Sequence, residues 1–524
     1  MLAIGLWAGW VQGADSNWIA STGDWSDANN WSGGEPTSGA WANISNGGTA
    51  TISQPGEACY SLTLGSSAGE SGTIDLVSGS LRTRGSWSDP RIPELPWRGP
   101  PGLFIGYSGT GVLTHADGNN TVRENLWLGF GTGSSGTYLL SGSGLLEANT
   151  EHIGSVGQGY FAQTGGVNRP VTISIGPHGR YELTGGALVV TGVSPDPFVF
   201  DPDLGLFVSG TFVLGGNACV GVATEVVGLS GNGVFTHTDG NNVVHDLFVG
   251  YYSGSSGTYY LSGDAHLTAA DRETVGYIGS GAFIQSGGHN DVGSVLYIGR
   301  MGSGSYSMSG GVLTTAGIGV FNGEFSITDS SASIAVSFLQ ISSPGGRFSA
   351  VPGSVIHVTR PPSWAWWRSS VGIYVFDGNA AGDLSNLRLV FENGADNVAT
   401  FEVAGIDLGA TPDGFLNNFA LETLELGGAA GDGRVVLWDH FDSHPGWDGN
   451  EALYVNQLIV HPGSTLYLDN IGLYVNGVAV SAGDGDLYGG GVISAAPEPV
   501  SMMLLACGAV LLSRHRRRRE TPLP

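Results

Sequence analysis

Ile298-Gly-Arg-Met-Gly-Ser-Gly-Ser-Tyr306-Ser-Met308-Ser-Gly310-Gly311-Val312-Leu313 is the stretch that decides the fold. Tyr306 and Met308 alternate with serines, the period-two pattern of a strand with one buried face. Gly310-Gly311 then offers a turn that needs positive φ, and Val312-Leu313 opens another strand. The head of the unit, an aliphatic residue plus glycine, recurs at Ile105-Gly106, Leu128-Gly129, Ile153-Gly154 and Ile175-Gly176. It appears again at Val249-Gly250, Val275-Gly276 and Ile318-Gly319. Most successive heads lie between 20 residues (298 to 318) and 26 residues (249 to 275) apart.

These units sit inside a longer duplication. Gly111-Val-Leu-Thr-His115 with Asp117-Gly-Asn-Asn120 returns as Gly233-Val-Phe-Thr-His237 with Asp239-Gly-Asn-Asn242, a shift of 122 residues. Gly136-Thr-Tyr138 returns as Gly257-Thr-Tyr259, a shift of 121. Two or three short strands in a unit of this length match one coil of a parallel β-solenoid. No coil buries its apolar face alone, but stacked coils share a continuous core. Roughly 18 coils at about 4.8 Å each predict a rod of ~85 Å whose open ends need covers. A β-propeller fits less well, since its blades usually take about 40 to 50 residues.

Composition agrees. Glycine supplies 89 of the 524 residues, far above the ~7% of ordinary chains, without the every-third spacing of collagen. A hydrophobic share of 41% is too high for a disordered glycine-rich polymer. The net charge is −26, and all 19 basic residues are arginine. An acidic surface without basic stripes excludes nucleic acid as a partner. Cys59 and Cys219 are expected several coils apart, so no disulfide is predicted, and Cys507 falls in the apolar tail.

Both ends carry targeting features. Residues 1–10 are apolar and lead through Val11-Gln12-Gly13 to a cleavage position before Ala14. The basic n-region is missing, which points to a longer true leader. At the other end, Pro497-Glu498-Pro499 precedes an apolar run over 500–512, then Arg514, Arg516, Arg517, Arg518 and Arg519. Thirteen helical residues reach about 20 Å, a short transmembrane helix whose arginines stay cytoplasmic and leave the body outside. This tail resembles the PEP-CTERM sorting signal of Gram-negative and planctomycete-like bacteria. The resemblance implies recognition and cleavage by an exosortase-type enzyme of the inner membrane, and an association with exopolysaccharide. An autotransporter is disfavoured, because no long run of amphipathic barrel strands precedes the terminus.

The expected fold is therefore all-β: an elongated parallel β-solenoid (β-helix) with an N-terminal cap, plus the short C-terminal transmembrane helix. The expected parts are a signal peptide (1–13), a Trp-rich cap with the first coils (14–100), a duplicated solenoid (101–346), a C-terminal β region (347–482), a linker (483–496) and the sorting tail (497–524). The cap, with Trp25 and Trp31, looks like the opening of exported proteins with autotransporter-passenger-like repeats; a packed cap core is favoured over a sugar contact for the two indoles. Pro-rich stretches at 89–102 and 194–204 read as loop insertions. Beyond about 347, strands are expected at 387–391, 400–403, 421–426, 435–438 and 453–473.

Few residues point to chemistry. His115 and His237 are equivalent, but each half offers one histidine beside an Asp-Gly, so a turn role is preferred to a metal site. Asp484-Gly485-Asp486 and the Asp-Gly-Asn-Asn turns are candidate structural calcium ligands without a full calcium-binding repeat. Trp364, Trp366 and Trp367, entered through Pro361-Pro362, are the candidate carbohydrate contact. Asp439, Asp442 and Asp448, with His440 and His444, form the densest group of titratable residues. The reading favoured by the sequence is a noncatalytic extracellular or cell-surface structural or adhesive protein. The alternative is a polysaccharide lyase or glycoside hydrolase on a β-helix, which needs paired carboxylates.

Overall fold

The computed structural model describes residues 15–494 except 85–101, 193–203, 343–344, 361–371, 377–383, 395, 445–446, 448, 477, 480–486 and 489–490. It is all-β, a β-solenoid of about 17 turns. Among the described residues the helical elements are two 3-10 turns, Ala28–Asn30 and Pro412–Phe415. The chain divides into two compact units, Met1–Ser349 and Ala350–Pro524.

In the first unit each coil has three faces. Thr110–His115 forms face A, and the strand Asn119–Leu128 supplies face B (119–122) and face C (125–128) across a register shift. Every coil pairs in parallel with the next: Leu113 lies on Tyr138, Asn120 on Leu146, and Leu128 on Ile153. The predicted column of unit heads exists. Ile105, Leu128, Ile153 and Ile175 are stacked in register and buried, and the column continues through Val208, Val227, Val249, Val275 and Ile298. Tyr306 and Met308 point inward with no exposure, as their alternation with serine predicts.

Face A carries the dominant core feature, a column of ten rings: Tyr138, Phe161, Tyr181, Phe212, Phe235, Tyr259, Phe283, Tyr306, Phe325 and Phe348. From Tyr138 to Tyr306 neighbouring rings are stacked, with centroids 4.5 to 5.0 Å apart and planes within about 11°. The cause is the ladder itself. Parallel strands lie about 4.8 Å apart, so a ring repeated at one position stacks at nearly that distance.

Glycine at two positions lets coils approach and turn this sharply. Gly299 follows a head residue with φ +66°, and a Cβ there would meet the Asn322 carbonyl oxygen at 2.0 Å. At Gly257, where face A begins, a Cβ would lie 2.0 Å from the Val227 carbonyl oxygen. The Pro-rich insertions leave the ladder at one kind of place. The chain departs after Thr83 and resumes at Gly102, and departs after Val189 and resumes at Leu206, in both cases between faces B and C.

The start of this unit is closed by indoles. Trp25 and Trp31 meet edge to face at 4.7 Å, Trp31 and Trp18 at 4.9 Å, and all three are buried. The Trp31 Nε1–H donates to the Trp25 carbonyl at 2.8 Å. Trp25 and Trp31 are thus core residues rather than a sugar platform. Cys59 and Cys219 are free, the first buried and the second exposed.

In the second unit Ser354–Thr359, Leu387–Glu392, Leu421–Leu426 and Glu451–Val460 stack in parallel. A second face stacks Gly372–Phe376, Ala399–Glu402, Arg434–Trp438 and Thr465–Tyr467. The β signal expected over 453–473 takes the form of three strands, because Pro462-Gly463 and the αL residues Asp469 and Asn470 turn the chain. Gly491–Ser494 pairs antiparallel with the Glu451–Val460 strand, and Leu487–Tyr488 with Thr465–Tyr467, which covers backbone groups that otherwise template association.

Replacing Phe283 by alanine is expected to cost about 3–5 kcal/mol, because it removes a ring held between two others. Tyr260→Ala, at an exposed position of the preceding coil, should fall within about 0.5 kcal/mol of the parent. Chemical denaturation midpoints of the two variants check the difference.

Candidate functional site

Polar side chains enter the first unit's core at four nodes. His115 and His237 are completely buried. Each ring's Nε2 lies against the carbonyl oxygen three residues on, Gly118 at 3.0 Å and Gly240 at 3.2 Å. A carbonyl only accepts, so Nε2 carries the hydrogen and Nδ1 accepts from a tyrosine hydroxyl, Tyr138 at 2.9 Å or Tyr259 at 3.0 Å. Gln163 and Gln285 do the same work in the other two nodes. Their Oε1 accepts from Tyr181 and Tyr306 at 2.6 Å, and their Nε2 donates to Gly166 and Gly288. Asn120, Asn168, Asn242 and Asn290 complete the nodes by donating to the same four hydroxyls at 3.1 to 3.2 Å. The histidines are therefore interior braces of the turn, and a metal role is displaced by filled hydrogen bonds. Asp117 and Asp239 stay in the turn, each accepting from the next glycine's amide at 2.7 Å.

Burial holds these histidines neutral. It drives His115 below its usual range, and His237 down to about 4. Sequence reasoning saw the histidine pair but missed Gln163, Gln285, the asparagines and three glutamates, Glu151, Glu225 and Glu273. The duplication contained the signal: Glu151 and Glu273, Gln163 and Gln285, and Asn168 and Asn290 are all separated by 122 residues and occupy inward strand positions.

The second unit gathers part of the titratable group expected at 439–448. Two further residues lie at its centre, Glu402 and Glu451, both buried. Glu402 Oε1 accepts from the backbone amides of His440 and Phe441 at 2.8 and 2.7 Å. Glu451 Oε1 accepts from the Ser443 amide at 2.7 Å and lies 3.4 Å from His444 Nδ1. Asp439 receives the Glu451 amide at 3.3 Å, and Asp442 receives that of His444 at 3.0 Å. Most of the cluster thus ties its own loop. One oxygen of each glutamate, Oε2, is buried without a partner. Burial, reinforced by the Asp439 and Glu402 charges, pushes Glu451 up to about 7, and burial raises Glu402 as well. Burial lowers His444. Trp438 stacks on His440 at 4.9 Å and is exposed, as is Trp447.

Asp448, Asp484, Asp486, Trp364, Trp366 and Trp367 lie outside the described residues, as do Pro497, Glu498, Pro499 and the arginines from 514 to 519. Among the described residues no helix is long and apolar enough to cross a membrane. His245, Asp246 and Asp271 bring ligand-type atoms within 4.8 Å of one another. Arg272 Nε already donates to Asp246 Oδ1 at 2.7 Å, and His245 Nδ1 lies 3.1 Å from Oδ2. A guanidinium therefore supplies positive charge there. No family profile, curated protein or solved structure matches the chain.

His237→Gln is expected to fold with nearly parental stability, since Gln285 fills the same role. His237→Ala strands the Tyr259 hydroxyl and the Gly240 carbonyl and should cost about 2–4 kcal/mol. Because His237 takes its proton far more readily when unfolded, it favours folding above its ordinary pKa of 6.5 and weakens it as pH falls toward 4. H237Q should remove that share of acid sensitivity, read from unfolding midpoints across this range.

Proposed function

We propose that the protein is a noncatalytic extracellular or cell-surface scaffold, with an adhesive role, sorted by its PEP-CTERM-like tail and associated with exopolysaccharide. The observation that carries this reading is the inward use of chemistry in the first unit. The four nodes place histidine, glutamine, asparagine and tyrosine where they brace successive coils and meet no solvent. A continuous ladder of this kind resists bending, and the chain carries a net charge of −26, which suits a soluble spacer. The exosortase-type enzyme remains the proposed processing partner, and Trp364, Trp366 and Trp367 the proposed sugar contact.

A second reading, a polysaccharide-active enzyme, draws support from Glu402 and Glu451. A buried carboxyl pushed up to about 7, with the charge of a second carboxyl acting on it, is the kind of group that acid–base cleavage of a sugar chain uses.

One experiment separates the two. Purified protein is incubated with acidic and neutral bacterial exopolysaccharides, while retention in affinity electrophoresis and release of reducing ends are followed. A scaffold retards at least one polymer without releasing sugar, and W364A/W366A/W367A loses about tenfold in retention. Sugar release that disappears in E402Q or E451Q overturns the scaffold reading in favour of the enzyme.

A further inference from the structure

Glu151, Glu225 and Glu273 occupy one inward position of face C and have no exposed surface. In each case Oε2 accepts from an asparagine Nδ2 of the next coil: Asn168 at 3.0 Å, Asn242 at 3.0 Å and Asn290 at 2.9 Å. The other carboxyl oxygen, Oε1, has no partner, and neither has Oδ1 of the same asparagine. The same pair of orphaned acceptors therefore recurs three times. Buried acceptors left unpaired are costly, and a carboxylate has no hydrogen to give to an amide oxygen. A carboxylic acid has one, and a carboxyl–amide pair joined by two parallel hydrogen bonds satisfies both groups.

We propose that Glu151, Glu225 and Glu273 are neutral carboxylic acids in the folded protein, each donating its Oε1 hydrogen to Asn168, Asn242 or Asn290, so that the solenoid stores three protons that unfolding releases near neutral pH.

The surroundings favour this state. The charge of Glu151 would act on the hydroxyls of Tyr138 and Tyr181, that of Glu225 on Tyr259, and that of Glu273 on Tyr306, Tyr259 and, two rungs away across Leu247, Glu225. The imidazoles of His115 and His237 lie across the Tyr138 and Tyr259 hydroxyls, and burial lowers both, as it lowers His152 next to Glu151. Arg272, next to Glu273 in sequence, is engaged with Asp246. None of the described arginines pairs with the three acids. Burial pushes all three carboxyls up to about 8. The fourth node is a natural contrast: Leu103 stands at the acid's position, 122 residues before Glu225, and the Asn120 Oδ1 has no donor.

A folded pKa above the unfolded value of 4.5 means that the acids' contribution is full below about pH 4.5 and declines as pH rises toward 8. The test compares the full chain with E151Q/E225Q/E273Q, in which glutamine keeps the acceptor and replaces the acid hydrogen with an amide N–H. Infrared spectra at neutral pH are expected to show the carbonyl stretch of buried, exchange-resistant carboxylic acid in the parent and its loss in the triple variant. Unfolding midpoints of the parent should fall between about pH 5 and about pH 8, and the variant should release nearly three fewer protons on unfolding. Glu57 and Glu451, pushed to about 7, remain in the variant and supply its residual slope. A parent spectrum without the acid band overturns the proposal even if the variant fails to fold. An unchanged pH slope in a folded variant overturns it equally.

Discussion

The distance between neighbouring strands of a parallel ladder governs this molecule. It is fixed by backbone hydrogen bonds near 4.8 Å, which is also a comfortable separation for stacked rings and for branched aliphatic chains. A residue type that suits one coil therefore suits its neighbours, and columns such as Ile105–Leu128–Ile153–Ile175 arise from a single rule applied again. The same spacing excludes side chains where coils approach most closely. That is why Gly257 faces the Val227 carbonyl with no room for a methyl group.

The ring column also shows how polar groups are admitted without breaking the stack. Tyrosine stands at Tyr138, Tyr181, Tyr259 and Tyr306, each one coil after a coil with asparagine on face B and histidine or glutamine on face A. Phenylalanine stands at Phe212, Phe235 and Phe283, above coils whose face-A position is Leu183, Leu214 or Leu261. A hydroxyl is present where the coil beneath offers a partner for it. Histidine and glutamine interchange because each presents an acceptor to the tyrosine and an N–H to the turn carbonyl.

Much of the architecture was legible because stacking repeats its pattern in sequence. The inward pair Tyr306 and Met308, the head-residue column, the strands of the second unit and the burial of Trp25 and Trp31 all follow from alternation and spacing. The polar interior was not, because a glutamate or asparagine in a strand reads as solvent-facing until its partner in the neighbouring coil is known. His115 and His237 drew notice only as neighbours of a turn. Around Asp439 and His440, the sequence named residues that cap the loop and missed Glu402 and Glu451, which are 37 and 12 residues from Asp439 along the chain. Their meeting depends on the parallel pairing of Ala399–Glu402 with Arg434–Trp438 and on the return of the chain into Glu451–Val460.

A stack of near-identical coils faces a difficulty that its apolar columns do not resolve. Leu140, Leu183, Leu214 and Leu261 are interchangeable, so a ladder built from them alone has several registers of nearly equal energy. The nodes remove that degeneracy. Moving the strand that carries Asn242 one coil along would leave its amide opposite leucine and strand the Tyr259 hydroxyl and the Glu225 carboxyl together. The three nodes that hold a glutamate each link three successive coils and the His115 node links two, and one or two leucine-lined layers separate each node from the next. Polar residues here act less as a source of stability than as markers that distinguish one coil from the next. That role explains why the duplication retains them at inward positions, where a leucine would pack at least as well.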